Sequence, residues 1–147
     1  MDNDAVIKKM SEYLKSHNTM TLATVAADGK PLAHTVEYAS DGTTVYFVTN
    51  RLTRKARNIA ANPHVAFTVD EDYLDWSKIQ GIQMEAVATM LADKAELEKA
   101  AGIYVGKFPI VKTFPPNPDW VFVKLAPSAG FFLDYTKGFT HRDKVEF

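Results

Sequence analysis

The stretch TNRLTRKARNIAANPHVAF, Thr49 to Phe67, sets the frame for the rest of the chain. Thr53 is a favourable helix N-cap, RKARNIAAN reads as a short helix, and Pro63 ends it. HVAFTVD then places Val65, Phe67 and Val69 on one face, as a half-buried strand does. Strand end, short basic helix and new strand thus follow one another directly. Arg51, Arg54, Lys55 and Arg57 crowd the start of that helix, where the backbone carries partial positive charge. Each cation there costs a few tenths of a kcal/mol. An anion at the same place reverses the sign: free helix N–H groups and the Thr53 hydroxyl would meet it, and Arg54 and Lys55 would neutralise it. The segment therefore points to a phosphate site.

Working outward, Asp4 to His17 places Val6, Met10, Tyr13, Leu14 and His17 at three- and four-residue spacing, which predicts a helix. TMTLATVAA, PLAHTVEYA and TTVYFVTN read as strands separated by Asp28-Gly29 and Asp41-Gly42, a pattern that predicts a three-strand meander. Asp70 to Lys78 is a polar loop, and Ile79 to Leu91 a long strand with Gly81 as a candidate bulge. Asp93 caps a helix running to Phe108, and the proline-rich PIVKTFPPNPD is irregular. WVFVKLAP and GFFLDYT read as two closing strands, and the polar tail GFTHRDKVEF has no assignment. The chain is therefore expected to be mainly β with α, a closed antiparallel barrel of six or seven strands with flanking helices. VYFV and WVFV are apolar on both faces, so helices or a second subunit should cover the barrel.

Composition bounds the function. The 147 residues suit one domain, 1–147, and 17 Lys plus Arg against 18 Asp plus Glu give a net charge of -1. That balance argues against a nucleic-acid coat or a membrane-surface protein, but not against one local basic pocket. There is no cysteine, hence no disulfide, thiolate nucleophile or Cys-based zinc site. No signal-peptide pattern or spanning-length apolar run is seen, so a cytoplasmic protein is expected.

Thr49-Asn50, Thr53-Arg54-Lys55 and Asn62-Pro63 recur at the spacing found in the pyridoxamine 5'-phosphate oxidase-like family of FMN-binding split barrels. The resemblance extends from about Thr21 to Leu91, and Lys107-Phe108-Pro109 and FFLDYTKGFTHRD resemble a small, poorly characterised branch. It implies FMN as cofactor, with Arg54 and Lys55 on its phosphate and Thr53 donating to it. Val48 and Thr49 would touch the ribityl chain or phosphate. His34, Thr35, Val36 and Glu37 would lie along the flavin edge and bond its pyrimidine through main-chain groups. Gln80, and more loosely Gln83, would lie near the ring. The family places the flavin between the subunits of a homodimer, so a partner chain should complete the site. The implied activity is that of an oxidoreductase with a small-molecule redox partner. The alternative is a non-catalytic flavin or haem module, or an electron carrier. The oxidases themselves carry an Arg near the start of the second strand and a Lys near its end. AHTVEY offers His34 and Glu37 or Tyr38 instead, so pyridoxamine 5'-phosphate turnover is not expected.

The other candidates read more plainly. His17, His34, His64 and His141 stand far apart, and no metal is expected. His17 should interact with the end of the first helix. Asp70, Glu71, Asp72 and Asp75 read as a solvated acidic loop rather than a metal site. Trp76 either caps a pocket or packs, and Trp120 is core or subunit interface. His34, His141 and Arg142 are the candidates for a substrate-side role.

Overall fold

A computed structural model describes residues 2–147. Helix α1, Asn3–Lys15, is capped by Asp2, whose carboxylate accepts from the Ala5 N–H at 2.8 Å. Strands β1, Thr19–Val25, and β2, Pro31–Glu37, form a hairpin whose turn needs Gly29 at φ 87°. The short β3, Ala39–Asp41, pairs with β4, Thr44–Asn50, across Gly42 and Thr43. With Gly42 at φ 60° this is the tight two-residue hairpin that favours glycine first. Helix α2, Arg54–Ala61, leads to β5, His64–Asp70, and then β6, Gln80–Met90. Helix α3, Lys94–Lys107, is capped by Asp93, and β7, Trp120–Asp134, and β8, Arg142–Glu146, complete the chain.

The strands make one antiparallel sheet in the order β2-β1-β5-β6-β7-β4-β3, with β8 on β7. Its two ends, β2 and β3, are separated in sequence only by Tyr38. The sheet must therefore curl until its ends meet, which gives the split-barrel architecture. Leu22, Phe47, Phe67, Ile82, Val123 and Leu125 fill the interior. Val6, Met10 and Leu14 of α1 and Ile59 of α2 extend the same core.

Four details differ from the sequence reading. β2 and β4 are not neighbours, so there is no three-strand meander. Tyr38 is fully buried, donates to the Leu14 carbonyl at 2.6 Å, and turns the chain from one end of the sheet to the other. Gly81 sits in regular register between Asp70 and Leu133, and the bulge falls between Glu85 and Ala86. Gly81 instead lies close to the neighbouring strand: a Cβ there would lie 3.2 Å from the Val69 carbonyl oxygen. The two expected closing strands are one continuous strand of 15 residues, and the unassigned tail supplies β8 beside the seven strands of the main path.

The doubly apolar strands are covered by helix. Tyr46 and Phe122 turn outward beneath α3, where they pack with Leu91, Leu97, Ala100 and Ile103. The outer face of β2, β1, β5 and β6 is different. The register aligns Thr35, Thr21, Thr68 and Gln83 in one row and Ala33, Ala23, Ala66 and Glu85 in the next. These residues are exposed or half-exposed.

Candidate anion and cofactor site

The site is built where β4 ends and α2 begins. Asn50 folds the chain back: its carbonyl accepts from the Thr53 N–H at 3.0 Å, and its Oδ1 from the Leu52 N–H at 2.9 Å. This sets Thr53 as the N-cap, accepting from the Ala56 N–H at 3.3 Å. Thr49 and Thr53 hydroxyls lie 3.2 Å apart. Thr53 donates to the Asn50 carbonyl at 2.8 Å, so its one proton is committed and Thr49 is the donor between the two. An anion can receive the Thr53 proton only after the Asn50 bond is exchanged. The amides of Arg54 and Lys55 precede the first helical bond and have no acceptor within the helix.

The cation cluster resolves into two parts. Arg51 is spoken for: its Nε donates to Asp119 Oδ1 at 2.8 Å, and its N–H to the Asp119 carbonyl at 2.7 Å. The sequence reading missed Asp119, which stands 68 residues from Arg51 with no local pattern to connect them. Among the described residues no ion pair holds Arg54 or Lys55.

His34 joins this cluster from β2. It pairs with Leu22 and so faces inward with Val36, while Thr35 and Glu37 face the outer side. Its Nε2 is buried without a hydrogen-bond partner. Burial, then the charges of Lys55 and Arg54, hold the imidazole below its ordinary value of 6.5. These effects all favour the neutral imidazole. β2 is also a terminal strand in the sheet order, so alternate main-chain groups along it point away from β1 with no strand partner. The Glu37 carbonyl faces the Tyr104 hydroxyl at 3.5 Å.

The remaining candidates are scattered. Val48 pairs with Phe122 and turns to the α3 side, away from Thr49. Gln80 donates its amide to Asp134 at 3.2 Å, beside the ion pair from Lys9 of α1 at 3.3 Å. Gln83 lies three strands from β2 on the outer face and lines an open groove of about 620 Å³ with Phe131, Gly130 and Lys144. His17 does lie at the end of α1: Nδ1 meets the Tyr13 carbonyl at 2.7 Å and Nε2 meets Glu71 at 2.7 Å. His141 lies 3.2 Å from Asp143, and the Arg142 guanidinium stands 5.8 Å from the Phe131 ring centre. Trp120 is 44% exposed and is not core; Trp76 is 64% exposed and stacks on Phe139. Among the described residues no helix is long and apolar enough to cross a membrane.

The model of the family described as "Pyridoxamine 5'-phosphate oxidase" matches residues 6–134. The chain belongs to this family. Among its relatives are two curated proteins. The first, "Heme oxygenase HutZ" of Vibrio cholerae, is 25% identical over 89% of this chain and 76% of its own length. The second, a "Pyridoxine/pyridoxamine 5'-phosphate oxidase" of Mycolicibacterium paratuberculosis, is 32% identical over 70% of this chain and 59% of its own. A solved structure of a "heme binding protein from Mycobacterium smegmatis" superposes with a TM-score of 0.82 at 18% identity, over 95% of this chain and 57% of that one. At that identity the likeness is one of fold. The family membership covers the strand–α2–strand segment and β2, so His34, Thr49, Thr53, Arg54 and Lys55 all lie within the matched region.

Proposed function

We propose that this member of the pyridoxamine 5'-phosphate oxidase family binds FMN between two copies of the chain and acts as an oxidoreductase. The observation that carries the reading is the pair Arg54 and Lys55, free of internal ion pairs at the N-terminus of an N-capped helix, beside a buried unpartnered His34 nitrogen. A phosphate monoester fits that donor set, with two side-chain cations and two open amides for its oxygens. Thr49 and Thr53 hold the turn that presents them. The unpaired edge of β2 offers main-chain donors and acceptors to a heterocycle edge. FMN would supply hydride and electron transfer; the chain's part is to anchor it, orient its ring and shape access.

The second reading, haem, is favoured by the names of the Vibrio and Mycobacterium smegmatis proteins, which this chain resembles in sequence or fold. Purified protein titrated with each cofactor separates them. Saturable FMN binding with a shifted flavin spectrum and quenched fluorescence supports the first reading. A Soret band with no flavin binding overturns it.

A further inference from the structure

We infer that His34 is the proton-linked member of the anion site: filling the Arg54–Lys55 cluster draws a proton onto its imidazole, so the protein takes up protons as it binds. The inference rests on the anion site proposed above and adds how that site responds to pH. On β2 the ring faces Leu22, flanked on β1 by Met20 and Thr24, none of which titrates. The Asn58 amide of α2 donates to Thr24 at 3.0 Å, which lays α2 beside this part of β1, and the charges it brings to bear on the ring are Lys55 and Arg54, both cations. Nε2 has no hydrogen-bond partner, yet the side chain as a whole is only partly buried, so a proton can reach the ring. In the free protein, burial and two cations all disfavour the imidazolium. An anion seated on Arg54 and Lys55 cancels their repulsion and adds an attraction of its own. The neutral form then loses its advantage, and a proton enters from solvent. Because coupling is reciprocal, a protonated His34 must strengthen anion binding by the same factor, on the order of fivefold for a typical coupling.

Arginine at the same place would be a permanent third cation, binding phosphate alike at every pH. Histidine makes the third charge conditional. It is disfavoured while the site is empty and favoured, by the coupling factor, once the site is filled.

Sulfate and FMN serve as probes, because sulfate keeps its charge across the relevant range whereas a phosphate monoester titrates near about 6. Binding heats measured in two buffers of different ionisation enthalpy report protons taken up per anion. The His34 ring resonances of labelled wild-type protein report its titration directly, with no variant that must fold. The expected result is net proton uptake with sulfate, a His34 titration moved to higher pH by the anion, and a sulfate affinity that rises about fivefold as pH falls through that titration. His34→Gln should abolish the uptake. Binding without proton uptake, or equal uptake in His34→Gln, overturns the inference. Arg54→Ala with Lys55→Ala keeps the two claims distinct. If that variant binds FMN as tightly as wild type, or if neither probe binds wild type, the phosphate assignment fails and this inference with it. If the two cations are needed but the His34 titration does not move, only this inference fails.

Discussion

Replacing Arg54 and Lys55 by alanine together should weaken FMN binding severely and leave the fold intact. Hydrogen bonds to charged groups contribute about 1.5–3 kcal/mol each. Two of them give about 3–6 kcal/mol, or roughly a hundredfold to ten-thousandfold in affinity. Adjacent cations on one phosphate share their effect, so the lower half of that range is the firmer expectation. The same change should not harm the empty protein. Neither side chain has an ion pair to lose, and both stand where the α2 dipole opposes them, so removal should add a few tenths of a kcal/mol. Arg51→Ala is the control. Its guanidinium is held by Asp119 at 2.8 Å, so its loss should change FMN affinity little and stability by under about 1 kcal/mol. The assay is fluorescence titration of FMN into wild type and the two variants, with thermal unfolding measured in parallel without cofactor. An unchanged FMN affinity in the double variant refutes the phosphate assignment. A double variant that unfolds at a much lower temperature refutes the claim that these cations have no structural role.

Three further outcomes are expected. The protein should sediment as a symmetric dimer with an interface above about 2,000 Å² in total, and a stable flavin-loaded monomer would contradict this. Burial raises the Asp134 carboxyl, but hydrogen bonds from Thr136, Gln80 and Lys9 outweigh that and hold it below its ordinary 3.8. Its contribution to stability is therefore present above about pH 4 and lost as pH falls through the lowered folded value. Urea unfolding of Asp134→Asn should show a loss on the order of 1–3 kcal/mol at neutral pH and a flatter acid limb. FMN-loaded protein should not oxidise pyridoxamine 5'-phosphate at the common enzymatic rate of about one per second or faster. Glu37 is exposed and would repel a phosphate, and the Tyr38 hydroxyl is consumed inside by Leu14. Oxygen consumption with that substrate decides it.

The sequence disclosed the local elements and their caps because Thr53, Asp93 and the two Asp-Gly turns act within a few residues of themselves. It disclosed the cation cluster for the same reason. It did not disclose that Arg51 leaves that cluster for Asp119, or that Gln80 is held by Asp134, since those partners are 68 and 54 residues distant and no periodicity links them. Nor did it reveal that β2 and β3 part company at Tyr38. A strand interrupted at one position keeps its alternation of apolar and polar residues, and only burial of the tyrosine and its bond to Leu14 show that the chain has changed sheet edge. Gly81 misled because glycine marks both bulges and close backbone approach, and here it serves the second purpose.

Placing the glutamines bears on assembly as well as on the cofactor. If the FMN phosphate binds at α2 and its ring follows the open edge of β2, the residues that meet the ring from one chain are those of β2 itself. Gln83 lies three strand spacings from Thr35, about 14 Å, and on the outer face, whereas His34 faces inward. Gln80 is turned beneath α1. Neither lies on the strand edge that such a ring would follow. A role for either on the flavin then requires a second copy, and the surface left for that copy is the row of Thr35, Thr21, Thr68 and Gln83 with its neighbouring alanines. On this reasoning Gln83→Ala should reduce FMN affinity only in protein that dimerises. Mixing Gln83→Ala with the Arg54, Lys55 double variant provides the check. A mixed dimer has one site carrying both defects and one carrying neither, so about half of the full flavin-binding capacity per mixed dimer should return. No recovery on mixing, under conditions where subunits exchange, would mean that each chain builds its flavin site alone, and an unimpaired Gln83→Ala dimer would mean that Gln83 has no part in it.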